Sequence, residues 1–478
     1  MTCHNEMEHV NPATIMQKVE QLASANAHAS HPWWPGFEPR KIPVAVFDGQ
    51  RTWLFNHPHP SAEWRQHRDH AYTKLGETPS TVKSINKSVE AIRATITDTK
   101  TAAFGMFYAY DGLHPTIRGN SFIDLDGVAT ATVMLTAVRR QSLSELAAIV
   151  IHEMFHVYQQ QHHPEWCSDT MEMFVYPAPD QQSLKLRRLE TEALRRAIQA
   201  NEQMESRAWC RTAMALRAHR FERLPQGSVQ FERGTELLEG LAQYVELRAL
   251  GQTTVPIPVA EFAPEAVRSR CYTIGTALAF LLDRHRPQWK DTLNTERFRS
   301  LDQLLRDTCT SYSGDAAIFT EAEDTHADRQ AANDIAVWHR RCSEARRQFA
   351  TQSGWQCTVE IVSASSTGGV EPLRVTSFDP QNVQKLSSKE IRHNRHLRLV
   401  NGACELDMID GQALTVSAGD HPLFDGILQV TFSGLTEKPI LESKDGLLTF
   451  RADGLTGKIC ETDHVRMTMK YNSEQTND

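Results

Sequence analysis

The sequence predicts an α+β protein: a mostly helical domain with a small N-terminal sheet, followed by a β-rich C-terminal domain of sandwich type. Three observations predict it. From Leu143 to Leu250, apolar residues recur at three- and four-residue spacing in segments such as LKLRRLETEALRRAI, RTAMALRAHRF and TELLEGLAQYVELRAL, the period of helices with one buried face. Immediately upstream, FIDLDGVATATVML sets β-branched residues around an Asp126-Gly127 turn signal and reads as two strands. Beyond Trp355, segments such as CTVEIVSA, LRVTSF, HLRLV, ALTVSA and ILQVTFSG alternate or run β-branched between Gly, Asp and Asn.

A chain of 478 residues is too long for one ordinary core, so it is divided. Residues 1–60 include a Pro-, Trp- and Gly-rich stretch (HPWWPGFEPRKIP) expected to form an irregular segment laid over a core. Residues 61–350 hold the helical domain, with a second helical block from Glu265 to Phe349, and residues 355–475 the β-rich one. The balance of 40% hydrophobic and 23% charged residues is that of a globular chain. A net charge of -8, with Lys and Arg interleaved among acids along helices, argues against a nucleic-acid partner. The longest apolar runs, LAAIVI and TALAFLL, are far short of a membrane span. The N-terminus, MTCHNEMEHV, lacks the apolar core of a signal peptide, and nine cysteines without CxxC spacing read as reduced thiols. A cytoplasmic setting is therefore expected.

One constellation carries chemistry. His152-Glu153-Met154-Phe155-His156 is an HExxH motif. Residues four apart on a helix share a face, so both imidazoles can reach one metal ion, while Glu153 is turned aside, free to act on water. Ser142 and Glu145 supply a capping box ahead of it, and Leu146, Ile149, Val150 and Val157 supply apolar flanks. Catalytic zinc takes three protein ligands and keeps an open position. Three residues compete for the third place. His162 stands where a metzincin pattern would end, but Gln159 occupies the position at which that pattern needs Gly. Glu192 lies among arginines on its own helix. Glu239 is preferred: Gly240 and Ala242 follow it, and Gly inside a helix implies a packing reason, here close approach to the HExxH helix. Glu236 and Glu246, on the same helix, contend less strongly.

The combination of HExxH, then EGLAQY on a later helix, then Tyr272-Thr273-Ile274-Gly275 resembles the gluzincins, the thermolysin- and aminopeptidase-N-like zinc metallopeptidases. The stretch from about 100 to 290 is also similar to poorly characterised predicted HExxH metallopeptidases with a C-terminal β domain. The resemblance implies one Zn²⁺ per chain, with Glu239 as third ligand and Tyr272 holding the oxyanion. Leu238 and Ile274 depart from the Asn and Lys of the aminopeptidase motifs, and no GxMEN-type exopeptidase motif is present.

These readings make the chain a zinc metallopeptidase, a hydrolase acting on peptide or protein substrate. Zn²⁺ on His152, His156 and Glu239 would acidify water, Glu153 would be the general base, and Tyr272 would steady the developing oxyanion. Tyr272 also reads as a half-buried packing residue, Gln243 as an orienting donor or a solvated side chain, and Tyr244 as core. The strand VATATVML is either the edge strand that would pair with extended substrate or an ordinary interior strand. Two other readings stand beside this one: a zincin-fold binding protein without activity, and a zinc hydrolase of non-peptide amides or esters. His396 and His421 are isolated and suggest no chemistry.

Overall fold

The computed structural model describes residues 11–28, 32–67, 107–137, 141–311, 314–362, 371–452, 454–460 and 464–473. The first ten residues, on which part of the localisation reading rests, lie outside them. The chain is α+β. It opens with α1 (Pro12–Ala27), where Asn11 accepts a hydrogen bond from the Ala13 amide and Pro12 takes the first helical position.

The stretch expected to be irregular divides in two. Trp33, Trp34 and Phe37 do cover the core, with Trp34 edge-on to Phe155, Trp166 and Trp289. The residues after them form strands: β1 (Val44–Phe47) and β2 (Arg51–Phe55), an antiparallel pair. With β3 (Arg65–His67), β4 (Phe107–Asp111), β5 (Ser121–Leu125) and β6 (Val128–Met134) they build one six-stranded sheet of order β3-β4-β2-β1-β6-β5. VAVF and TWLF are buried on both faces, so they show no polar alternation, and the neighbouring Pro and Trp residues dominate the composition.

The Asp126-Gly127 turn is as expected: φ is +52° and +78°, the left-handed pair of a tight hairpin between β5 and β6. β6, however, is interior, pairing parallel with β1 on one side and antiparallel with β5 on the other. The edge on this side of the sheet is β5. Against the sheet lies α2 (Leu143–His162), started by the full Ser142–Glu145 capping box. It is buried on nearly all sides from Leu146 to Gln159, the pattern of a central helix rather than a surface one.

The bundle beyond it comprises α3 (Gln181–Gln199), α4 (Gln203–Phe221), α5 (Gln226–Thr235), α6 (Leu241–Ala249) and α7 (Val267–His285). A π turn, Glu236–Gly240, joins α5 to α6, so residues 226–249 form one helical rod with a single widened turn. Gly240 does have a packing reason, though not the one expected. A Cβ there would sit 2.7 Å from Gly275 Cα, and one at Gly275 would sit 2.7 Å from Glu236 O. Gly240 thus admits α7 and not the HExxH helix.

Four arginines and four glutamates are buried together between α3, α4, the rod and α7. Glu190 accepts from Arg217 Nε (2.9 Å) and Arg220 Nε (2.9 Å) and meets Arg270 at 3.0 Å. Arg217 forks Glu236 at 2.6 and 2.8 Å, Arg220 reaches Glu232 at 2.8 Å, and Glu261 lies 3.2 Å from both Arg187 and Arg270. Burial opposes ionisation of Glu190, but the surrounding guanidiniums outweigh it and hold the carboxyl well below the usual range.

The helical part closes with α8 (Trp289–Thr295), α9 (Leu301–Thr310) and the long α10 (Glu321–Thr351), itself started by a Thr320–Glu323 capping box. Strands follow: β7 (Gly354–Ile361), β8 (Arg374–Phe378), β9 (Val383–Lys385), β10 (Glu390–His393), β11 (His396–Val400), β12 (Cys404–Ile409), β13 (Gln412–Ser417), β14 (Ile427–Leu435), β15 (Ile440–Lys444), β16 (Leu447–Ala452), β17 (Leu455–Cys460) and β18 (Val465–Asn472). They make two six-stranded antiparallel sheets, β18-β7-β14-β13-β10-β9 and β15-β16-β17-β12-β11-β8. Val359, Val430 and Phe432 of one pack with Leu399, Leu406 and Ile459 of the other in one shared core, a sandwich. It docks on the bundle through Phe174 against Ile391 and Leu423, and through Lys385 Nζ donating to Tyr176 O (3.3 Å). Among the described residues no helix is long and apolar enough to cross a membrane.

The sandwich buries His393 completely; Nε2 faces Thr415 Oγ1 at 3.2 Å, and Nδ1 has no hydrogen-bond partner. Burial pushes its pKa down to about 3. Because the unfolded chain takes up this proton near pH 6.5 and the folded one does not, stability is intact above pH 6.5 and falls as the pH drops toward 3. Urea denaturation at pH 7 and pH 5 should show a loss of roughly 1 kcal/mol per pH unit from this group. That part of the loss should vanish in His393→Leu; an unchanged pH dependence would contradict the assignment.

Candidate metal centre

Two helices bring the site together. His152 and His156, one turn apart on α2, project their rings toward the rod with centroids 4.9 Å apart. The π turn answers with Glu239, whose Oε2 lies 3.3 Å from His156 Nε2 and 3.9 Å from His152 Nε2. All three side chains are buried, and their ligand atoms fall within 4.8 Å of one another. The structure therefore brings Glu239 to the histidines, as preferred from the sequence.

The outer nitrogens of both rings are engaged. His152 Nδ1 donates to Glu246 Oε2 (2.9 Å), and His156 Nδ1 donates to Gln159 Oε1 (2.8 Å). Neither oxygen can donate, which fixes the Nδ1–H on each ring and turns both Nε2 atoms toward Glu239. Glu239 divides its oxygens: Oε2 faces the histidines, while Oε1 accepts from Arg268 Nη2 (2.8 Å). Burial disfavours the Glu239 carboxylate, but the neighbouring His152, His156 and Tyr272 favour the charged form more strongly and hold the group well below the usual range. Burial likewise works against charge on His152, yet its bonds to Glu239 and Glu246 push its pKa up to about 10.

This donor set fits zinc. Two imidazole nitrogens and one carboxylate oxygen are the ligands of an open catalytic site. Ligands about 2.0–2.1 Å from a tetrahedral ion are separated by roughly 3.4 Å, close to the His156–Glu239 spacing. The carboxylate and amide partners on the outer nitrogens are those that orient metal-binding histidines.

Glu153 is buried beside this set, and its pKa is raised, chiefly by desolvation, against the lowering charges of His152 and His156. Tyr272 and Arg268 stand one turn apart at the start of α7. The Tyr272 hydroxyl lies 3.4 Å from Arg268 Nη2, which also holds Glu239, and burial, with the nearby Glu239 charge, raises its pKa. Tyr272 thus lies next to Glu239, sharing the Arg268 guanidinium with it.

The other contenders are elsewhere. His162 ends α2, stacked on Tyr158 with Nδ1 donating to Tyr158 O (3.0 Å). Glu192 is held by Arg195 Nε (2.9 Å) and Arg196 Nε (2.6 Å) on its own helix. Glu236 belongs to the buried ionic cluster through Arg217. Its neighbours Glu232 and Cys271 could meet an ion geometrically with it, but both acids are already occupied by guanidiniums. Glu246 is the outer partner of His152 instead of a ligand. Gln243 Oε1 pairs with the Thr276 hydroxyl (3.0 Å) and touches no ligand, and Tyr244 is core, its hydroxyl donating to Asp283 (2.6 Å).

Three residues of the site were not assigned from the sequence: Gln159, Arg268 and Glu246 in its actual role. Each carried a signal in its spacing. Gln159 is three residues after His156, Arg268 four before Tyr272, and Glu246 seven after Glu239, all on shared helix faces. No family model, no curated protein and no solved structure matches this chain.

Proposed function

We propose that this chain is a zinc-dependent metallohydrolase acting on peptide bonds. The observation that carries the reading is the meeting of His152 Nε2, His156 Nε2 and Glu239 Oε2 in one buried cluster, with a buried, non-ligating Glu153 beside it. Zinc, when bound, supplies a Lewis acid that acidifies water and polarises a carbonyl. The chain's own groups do the rest. Glu153, its basicity increased by burial, takes the proton from the attacking water and passes it to the leaving amine. Tyr272, kept protonated by a raised pKa, donates a hydrogen bond to the oxygen that gains charge. Glu246 and Gln159 hold the histidine rings in their metal-accepting orientation. Among the described residues, β5 is an edge strand with one side free of strand partners, on the margin of the sheet that supports α2, a place for an extended peptide to pair. The unpatterned cysteines suit a reducing compartment, so the cytoplasm is the proposed setting.

Purified untagged chain should carry about one zinc by elemental mass spectrometry, because one group of two histidines and a glutamate of this type is present among the described residues. His156→Ala removes one of three ligands and should purify without the metal. A wild-type chain that takes up no zinc even when supplied with it would set the reading aside in favour of a binding role. Zinc binding followed by hydrolysis of esters or non-peptide amides alone would redirect the substrate class.

A further inference from the structure

We propose that Gln159 is a positioning residue that joins the two halves of the metal centre, orienting His156 with one end of its amide and clamping the turn that bears Glu239 with the other. The inference rests on the metallohydrolase reading and assigns a role that the HExxH pattern itself does not contain.

Gln159 is 0% exposed. A buried primary amide has one acceptor and two N–H groups to satisfy, and each one left unpaired would be costly. Here all are used, and all on the site. Oε1 accepts from His156 Nδ1 at 2.8 Å, and Nε2 donates to Leu237 O at 3.0 Å and to Leu238 O at 2.9 Å. Leu237 and Leu238 are the two residues before Glu239 and lie inside the π turn. Such a turn interrupts the regular ladder of helix hydrogen bonds, so side-chain donors are needed to hold its shape. The amide's direction is unambiguous, since the reverse orientation would put its N–H groups against the His156 N–H and its oxygen against two carbonyls. One planar group therefore fixes both the ring of a ligand on α2 and the backbone beneath a ligand on the rod. Gln243, on the rod and half-buried, pairs with the Thr276 hydroxyl and provides a control for loss of a hydrogen-bonded amide that does not meet a histidine.

The test titrates zinc alone against a chromophoric chelator, using the full-length chain and its Gln159→Met, Gln159→Glu and Gln243→Met variants, with thermal unfolding of each metal-free chain alongside. Methionine keeps the volume and removes all three bonds; glutamate keeps the acceptor for His156 but sets an oxygen against the two carbonyls. Both Gln159 variants should bind zinc about 10–100-fold more weakly, while Gln243→Met keeps wild-type affinity even where its unfolding temperature falls. The glutamate variant covers the case in which methionine at this buried position prevents folding. Wild-type affinity in both Gln159 variants would overturn the inference, and retention by Gln159→Glu alone would reduce the role to His156 and overturn the bridge. Absence of zinc binding in the wild-type chain would overturn the underlying reading and this inference with it, an outcome distinct from the others.

Discussion

A Glu153→Gln chain should keep its zinc and lose peptide hydrolysis by about 10²–10⁴-fold, the contribution of a positioned general base. The separation of the two properties is what the geometry requires. The ligand atoms come from His152, His156 and Glu239, and Glu153 is not among them. The substitution preserves shape at a buried position, so the fold is not asked to adapt, but a neutral amide is far too weak a base to take the proton. Elemental analysis and turnover of a peptide found by library profiling, measured on the same preparation, check both halves. Full activity in the variant would rule out Glu153 as the base. Loss of zinc together with activity would show that the carboxylate supports the metal directly.

The second large effect lies away from the metal. Arg217→Met should destabilise the chain by about 3–5 kcal/mol, because it leaves Glu190 and Glu236 short of a partner in surroundings with essentially no access to water. The comparison is Arg195→Met, which breaks the partly exposed pair with Glu192 and should cost no more than about 1 kcal/mol. Urea denaturation of both variants at pH 7 measures the difference. Equal losses would mean that the buried cluster is no more than a set of ordinary surface pairs. The cluster is balanced, four cations against four anions, so removing a single member leaves an uncompensated charge that the remaining seven groups cannot neutralise.

The parts of the site that the sequence displayed were those held within one helix. His152, Glu153 and His156 are separated by fixed fractions of a turn, and the capping box that starts their helix is itself a local pattern, so both could be read without knowledge of the fold. Glu239 was legible for a related reason, an acid followed by a glycine that a helix does not otherwise favour. The partner of that glycine was not legible, because Gly275 comes from a helix whose packing depends on the whole bundle. The same holds for the buried ionic cluster. Glu192 and Glu190 sit two residues apart among the same arginines, and only tertiary packing decides that the first is a half-exposed helix pair and the second is enclosed. The first two strands escaped notice because strands buried on both faces lose the alternation by which a strand is usually recognised.

The widened turn in the rod sets the angular phase of its acids. In an unbroken α-helix of about 3.6 residues per turn, Glu232, Glu236 and Glu239 would lie along one stripe and compete for the same surroundings. The π turn rotates everything beyond it, so that Glu232 and Glu236 point into the arginines while Glu239, with Glu246 two turns on, points at the histidines. One helix thereby serves two electrostatic environments of opposite demand. Cationic side chains saturate its first half, and its second half keeps a carboxylate oxygen directed at the two imidazole nitrogens. The offset also keeps Glu239 apart from the Arg217 and Arg220 guanidiniums of the buried cluster, so that Arg268 alone pairs with its other oxygen among the described residues.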